Sequence, residues 1–351
     1  MSFSVKMLKA GNGDSFIFRF LGNDDKFKNI LIDGGNKKSE YNKHLKHEIL
    51  DIQNKGENID LLIITHTDQD HIKGIYYLLS DIKIDKSIIS EIWFNSFYPI
   101  KEVFDSKNND VSFLESCKVQ NLIDELKIPR SSSIYIPNFN FYNFYGLELT
   151  LLSPFKEDIE KLKIKNDKTY PFDISSNSND YKFSIKELID KNPKIFIDKE
   201  EDLDSKIENR VSIAFLMELN SKSVLFLGDA NPEILTDSIK RLLKDRKADK
   251  LKVDYIKLSH HCSHRSLSFE FLDLLDCNNF IISTNGGKAN LPNKLTMAKI
   301  LSSRKKTLNI DSFIFNYEEV IDSMNFFDGD FSNFSFECLK PNYEHGYLIN
   351  L

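Results

Sequence analysis

At 351 residues, with 41% hydrophobic and 28% charged side chains, the chain is long and apolar enough to bury a sizeable core, which excludes an intrinsically disordered protein. A formal charge of −6 argues against gripping nucleic acid by a uniformly positive surface, because phosphate contacts need clustered Lys and Arg; a local basic groove is compatible with it. The longest apolar runs, such as Ile59–Ile64 broken by Asp60, fall far short of the roughly 20 residues that cross a bilayer.

The first residues, Met1-Ser2-Phe3-Ser4-Val5-Lys6, show no basic stretch followed by an apolar export segment, so the expected location is the cytoplasm. Cys117, Cys262, Cys277 and Cys338 lack CxxC spacing and read as free thiols of a reducing compartment. Phe3–Leu8, Ser15–Leu21 and Asn29–Ile32, the last closed by Asp33-Gly34-Gly35, read as strands of a meander. Leu45, Ile49 and Ile52 are spaced for a helix over 41–53, and Ile59–Thr65 suits a buried strand. A helix follows at about Phe113–Leu126, then strands at Leu147–Leu152, Val211–Glu218 and Ser223–Leu227, and a helix after Pro232. Strand and helix then alternate through Val253–Ser259, Phe269–Leu275, Phe280–Ser283 and Leu295–Ser302. Two halves that each run from strands to helices predict an α/β fold of two sheets packed face to face with helices outside, a four-layer αββα sandwich in one domain. The stretch at about 156–208 is dense in Lys, Asp, Ser and Asn, with helical spacing only near Ile185–Ile189, and reads as a polar insertion. The last segment, about 306–351, reads as a C-terminal extension with strand-like pieces such as Ser312–Asn316.

His66-x-Asp68-x-Asp70-His71 sets four metal-competent side chains within six positions, after a buried strand and before a helix that starts near His71. A strand-end loop can aim such groups at one point and leave coordination positions open, and imidazole with carboxylate suits a borderline or hard divalent ion. The competing reading is an acidic turn in which Asp68 and Asp70 cap the helix. With only 8 histidines in the chain, two in this frame favour the metal. Asp229, in Leu227-Gly228-Asp229, ends another apolar strand; Gly-Asp there is by itself a common turn, but a carboxylate so placed can bridge two ions. Ser259-His260-His261-Cys262-Ser263-His264 follows a third apolar strand. In extended backbone, neighbouring side chains point to opposite sides, so His261 is assigned as a ligand and His260 as the group that contacts substrate. His264 reads as a surface residue.

In this order, the segments resemble the metallo-β-lactamase superfamily, and within it the branch typified by the nuclease domain of DNA-uptake competence proteins and by choline-phosphate esterases. Gly11-Asn12-Gly13-Asp14-Ser15 is similar to that branch's first turn, and Leu31-Ile32-Asp33-Gly34-Gly35 to its second strand and turn. Thr65–Gly74 is similar to its metal loop, in which Asp replaces the second His of the wider superfamily; Leu149–Pro154, Asn209–Ser212, Phe226–Asp229, Lys257–Ser263 and Ser283–Gly286 also find counterparts.

The resemblance implies that Asp229 bridges two ions, that His66 and Asp68 hold one, and that Asp70, His71 and His261 hold the other. A hydroxide between the ions is then the nucleophile, with Asp70 and His260 the catalytic side chains. Three carboxylates against three imidazoles is a harder donor set than an all-histidine site, so the expected cofactor is one or two ions of Zn2+ or Mn2+. Asp33 and Asp14 are candidates to orient the ligand histidines from behind. The expected activity is phosphodiester hydrolysis, with nucleic acid as substrate; a small phosphodiester is the alternative substrate, and a non-catalytic scaffold within a larger complex of partner proteins the alternative class. Three departures bear on this: no His lies between His71 and His260 to complete the first ion's ligands, Leu291 stands before Pro292 where relatives carry a His, and Cys262 stands where they carry Gly. Asn95, after the strand Ile92-Trp93-Phe94, reads as a turn residue rather than a substitute ligand.

Overall fold

The computed structural model describes residues 3–95, 111–136, 141–165, 180–191, 203–204, 206–287, 291–303 and 310–351. Much of the expected insertion (166–179, 192–202 and 205), Asn290 and residues 306–309 of the expected extension lie outside the described residues.

Strands β1 (Phe3–Leu8), β2 (Phe16–Leu21), β3 (Phe27–Ile32), β4 (Leu61–Ile64), β5 (Ile92–Phe94) and β6 (Arg130–Ser131) form most of one sheet. The second sheet takes β7 (Phe141–Phe144), β8 (Leu147–Ser153), β9 (Ala214–Leu219) and β10 (Lys222–Phe226). After β11 (Leu251–Lys252) come β12 (Tyr255–Lys257), β13 (Leu275–Asp276), β14 (Asn279–Ile282), β15 (Asp311–Phe315), β16 (Phe336–Leu339) and β17 (Gly346–Asn350). The first sheet runs β17-β1-β2-β3-β4-β5-β6 and the second β16-β15-β14-β12-β10-β9-β8-β7, while β11 and β13 form a separate two-stranded pair. The segment expected as an extension therefore supplies edge strands to both sheets.

Alternation along each strand sets the layers. In β2, Phe16, Phe18 and Phe20 point between the sheets, while Ile17 points to the helices outside. In the second sheet Phe215, Met217, Val224 and Phe226 meet them, with Leu216 and Leu225 on the far face. Phe226 packs edge-on to Phe16 at 5.1 Å and stacks on Phe215 at 5.4 Å between ring centroids. The run Leu61–Ile64 is apolar throughout because β4 is covered on both faces: Leu61 and Ile63 face the second sheet, Leu62 and Ile64 the helices.

Of the principal helices, α1 (Lys46–Asn54), α2 (Gln69–Ser80) and α3 (Val111–Glu125) cover the first sheet. Helices α4 (Ile185–Lys191), α5 (Pro232–Arg246), α6 (Phe269–Asp273) and α7 (Lys294–Ser303) cover the second. The result is the four-layer mixed α/β arrangement that the alternating halves predict. Two expected strands begin late. The strand expected at Val211 starts at Ala214, because Ile207–Arg210 forms a helical turn and Ser212 is drawn into hydrogen bonds with the loops beside it. The strand expected over Val253–Ser259 is confined to Tyr255–Lys257, because the chain from Ser259 onward turns tightly.

Strands β3, β4 and β5 are mutually parallel, as are β10, β12, β14 and β15. Their carboxyl ends carry Asp33, His66, Asp229, His260 and Ser283, so parallel pairing alone gathers residues that are up to 250 positions apart.

Candidate metal centre

Helix α2 presses Ile72, Ile75, Leu78 and Leu79 onto the first sheet and so holds its own first turn, with Asp70 and His71, over the end of β4. The approach is close enough to exclude side chains. A Cβ on Gly74 would lie 1.8 Å from the carbonyl oxygen of Gly34, and one on Gly13 would lie 1.6 Å from that of Asp70. The Asp33-Gly34-Gly35 turn is thereby bonded to α2, Gly34 N–H to His71 O and Gly74 N–H to Gly35 O, each at 2.8 Å.

Asp229 Oδ2 is the hub. The Nε2 atoms of His71, His66, His261 and His260 lie 3.4, 3.8, 3.8 and 3.9 Å from it. Asp70 Oδ2 lies 3.7 Å from His261 Nε2 and accepts a 3.1 Å hydrogen bond from Asn12. Two atoms that share one ion at about 2.1 Å each sit roughly 3 to 3.5 Å apart, so these separations need only small contractions. Four groups of buried side chains bring their donor atoms within 4.8 Å of one another: His66 with His71 and Asp229, Asp70 with His71 and His261, and Asp14 with either Asp229 and His261 or Asp33 and His71.

The hydrogen bonds behind the imidazoles decide which nitrogen faces the centre. Asp33 is an acceptor for Thr65 N–H at 2.8 Å, Thr65 Oγ1–H at 2.7 Å and His71 Nδ1 at 2.8 Å, so His71 carries its proton on Nδ1. Thr65 Oγ1, its hydrogen directed to Asp33, accepts from His66 Nδ1 at 3.0 Å. His261 Nδ1 donates to the carbonyl of Ser283 at 2.8 Å. All three rings therefore turn a lone pair inward, and the Nε2 atoms of His66, His71 and His261 are buried with no hydrogen-bond partner.

Charge points the same way. Five carboxylates, from Asp14, Asp33, Asp68, Asp70 and Asp229, surround the centre or support it, against the ammonium groups of Lys206 and Lys257. Burial works against ionisation of Asp229, yet His71, His261 and His260 hold its pKa well below the usual carboxylate range. Burial likewise disfavours a charged His71, but Asp229 and Asp33 outweigh it and hold its pKa well above the ordinary imidazole value, so a proton on Nε2 competes with a cation for the inward lone pair. Burial and the neighbouring His71 push His66 down to about 4. The centre thus binds positive charge at one point, and the lone-pair geometry, the acidic surroundings and the mixed N and O donors all fit a divalent cation.

Residues 10–149 match the family model described as the metallo-beta-lactamase superfamily. The mixed α/β arrangement of two sheets and helices is consistent with the metallo-β-lactamase fold. That fold uses divalent metals, and its superfamily generally contains metal-dependent hydrolases. Among solved structures, the chain is similar to the metallo-beta-lactamase fold protein YhfI from Bacillus subtilis (12% identity, TM-score 0.42, 100% of both chains). It is also similar to Zn(2+)-bound PqqB from Methylobacterium extorquens (9% identity, TM-score 0.43, 99% of this chain and 100% of that one). A third is CmlA, a diiron beta-hydroxylase from Streptomyces venezuelae (10% identity, TM-score 0.42), of which this chain spans about half the length: 100% of this chain against 54% of that one. No curated protein matches the chain.

Two expectations about the site change. Asp68 joins none of these donor groups; its Oδ2 is paired with Lys206 Nζ at 2.7 Å, which, with His66, lowers its pKa against the effect of burial. Nor does it cap α2, since it makes no capping hydrogen bond with its side chain. The reasoning that sent His260 and His261 to opposite sides also fails, because the backbone there is left-handed rather than extended, with φ of 48° and 53°, followed by Cys262 at 69°. Both rings consequently reach Asp229. Three successive non-glycine residues in this conformation cost of order 1–3 kcal/mol each, and surrounding bonds hold them there: Asn293 N–H and Thr296 Oγ1 both donate to Cys262 O, at 3.1 and 2.9 Å.

His260 has its own support. Its Nδ1 lies 3.1 Å from Asp204 Oδ2, and Asp204 also accepts from Asn209 Nδ2 at 2.6 Å and Lys206 N–H at 3.0 Å. Asp204 and Lys206 belong to the polar stretch read from sequence only as an insertion, and no spacing or motif in it singles them out. Lys257, fully buried, is the other residue that sequence reading passed over. Its Nζ donates to Gly228 O at 2.9 Å, pairs with Asp14 and lies 3.8 Å from Asp229 Oδ1. Burial raises the pKa of Asp14, but Lys257 and His261 bring it down to about 2. Asn95 stays out of the centre, exchanging hydrogen bonds of 2.7 and 2.9 Å with the backbone of Ile134. His264 bonds Asn293 Oδ1 through Nδ1 at 2.9 Å, and Leu291 is buried.

Proposed function

We propose that the protein is a metal-dependent hydrolase of phosphodiesters, with nucleic acid as its substrate class. The observation that carries this reading is the convergence of three partnerless Nε2 atoms on one oxygen of Asp229. Asp70, His71, Asp229 and His261 would hold the principal ion, Zn2+ or Mn2+; His66 lies within reach of a second ion, which the Lys206–Asp68 pair leaves poorly supplied with ligands. A divalent ion held there would lower the pKa of bound water toward about 7 and supply positive charge to a phosphoryl group.

The chain's own residues supply orientation and hydrogen bonds. Asp33, through His71 and through Thr65, fixes the ligand tautomers, and the carbonyl of Ser283 does the same for His261. Asp204 fixes His260, whose Nε2 edge faces the centre beside Asp229 and is the group placed to donate to a phosphoryl or leaving oxygen. His260 thus keeps its role toward substrate, although its backbone reaches the site differently than expected.

The test is hydrolysis of single-stranded DNA, RNA and bis-p-nitrophenyl phosphate by purified protein loaded with Mn2+ or Zn2+. Activity on all three supports the reading, cleavage of the small ester alone moves the substrate class to small phosphodiesters, and absence of both metal binding and cleavage overturns it.

A further inference from the structure

Of the chain's 8 histidines, His44, His47 and His345 meet away from the centre described above, on the first sheet's helical side. His44, His47 and Glu48 follow one another at helical spacing, His44 in a π-helical turn (Tyr41–Leu45) and the other two at the start of α1. They face His345, which sits in the tight turn before β17, where Tyr343 and Gly346 exchange backbone hydrogen bonds. One donor atom from each of His47, Glu48 and His345 lies within 4.8 Å of the other two. Glu48 and His345 are buried and His47 is exposed, so the group opens to solvent on one side.

The bonds around His345 prepare it for an ion. Its Nδ1 lies 3.1 Å from Nδ1 of the buried His44, whose Nε2 lies 3.5 Å from Glu40 Oε2. If His44 carries its proton on Nε2, toward Glu40, its Nδ1 accepts from His345 Nδ1–H. His345 then keeps a lone pair on Nε2. A carboxylate, an imidazole and a second imidazole in series form the kind of backing that orients a metal-binding histidine. Glu48 is ion-paired with Lys6 through Oε2 at 2.5 Å and keeps its other oxygen for coordination.

We propose that His47, Glu48 and His345 form a second divalent-metal site, of the zinc class, with water completing a tetrahedral set. It ties α1 to the turn that precedes β17, the edge strand that pairs with β1. Its role is to hold the carboxyl end of the chain to the helical layer, and it stands whether or not the other centre is catalytic.

The experiment measures zinc equivalents by elemental analysis after loading and desalting, in the wild type, in His47→Ala and His345→Gln, and in Asp229→Ala. Folding of His47→Ala and His345→Gln is checked directly by circular dichroism. Each of the two histidine variants is expected to lose one equivalent and part of the zinc-induced rise in Tm, while keeping the wild-type rate on bis-p-nitrophenyl phosphate. Asp229→Ala, which disrupts only the other centre, is expected to keep that equivalent. Unchanged zinc content in both histidine variants overturns the proposal, as does loss of all zinc in Asp229→Ala.

Discussion

At the scale of single residues, the centre rests on which imidazole nitrogen carries the proton. Asp33 decides this for His71 directly and for His66 through Thr65. Replacing such a backing group costs about 10–100-fold in metal affinity. Asp33→Asn is therefore expected to weaken Mn2+ or Zn2+ binding by that factor, measured by competition with a chelating dye, while Asp229→Ala abolishes binding at the centre. Asp204 acts one step further out, through His260. Asp204→Ala is expected to lower kcat by about 10–100-fold, within the contribution of a positioned proton donor, with metal content and KM unchanged. Asp204→Asn, which keeps an acceptor oxygen, restores most of the rate; a loss of metal in Asp204→Ala would place Asp204 among the groups that support the ligands instead. His66, Asp70, His71, Asp229 and His261 could all be named from strand-end position and residue type. Asp204 could not, because a carboxylate in a polar stretch looks like its neighbours until the chain folds back.

At the scale of elements, the glycine pair sets how closely α2 approaches the Asp33 turn. Gly74→Ala puts a methyl group 1.8 Å from a backbone oxygen that has no rotamer to relieve it. The expected loss is about 3 kcal/mol or more, at the upper end for overpacking, read from denaturant unfolding at equal slope. The polar insertion contributes a second contact of this kind. Asp180 Oδ2 accepts from Leu295 N–H at 2.8 Å at the start of α7, while burial raises its pKa to about 6. A carboxyl group whose pKa is higher folded than unfolded costs nothing below its unfolded value near 4, and the penalty grows as pH rises through 6. Each tenfold change in protonation is worth about 1.4 kcal/mol, so the stability of Asp180→Asn relative to wild type should improve by on the order of 3 kcal/mol between pH 4 and pH 7. A flat difference across that range in paired unfolding titrations would sink this account. Helical spacing near Ile185–Ile189 betrayed α4 in the sequence, whereas the docking of Asp180 had no local signal.

At the scale of the whole molecule, the candidate ligands come from the strand ends of both sheets, so an ion bound at the centre would tie the two halves together. Anything that binds only the folded state stabilises it by RT ln(1 + [L]/Kd), about 2.7 kcal/mol at a hundredfold excess over Kd. Removal of metal by a chelator is expected to lower Tm, and re-addition of Mn2+ or Zn2+ to restore it in a concentration-dependent way. Among the described residues no helix is long and apolar enough to cross a membrane, in line with the short apolar runs of the sequence.

The sequence by itself determined the faces of the strands and the chemistry at their ends. A period of two and a strand-end turn are local properties, and residues 66–71 carry their donors within one short loop and the first helical turn after it. Tertiary structure decided what long-range packing controls: that the turn at His260–Cys262 is left-handed, that Lys206 lies on Asp68, and that Lys257 is buried against Asp14. Each depends on the field and the space supplied by segments remote in the chain, and none of the three leaves a periodic trace in sequence.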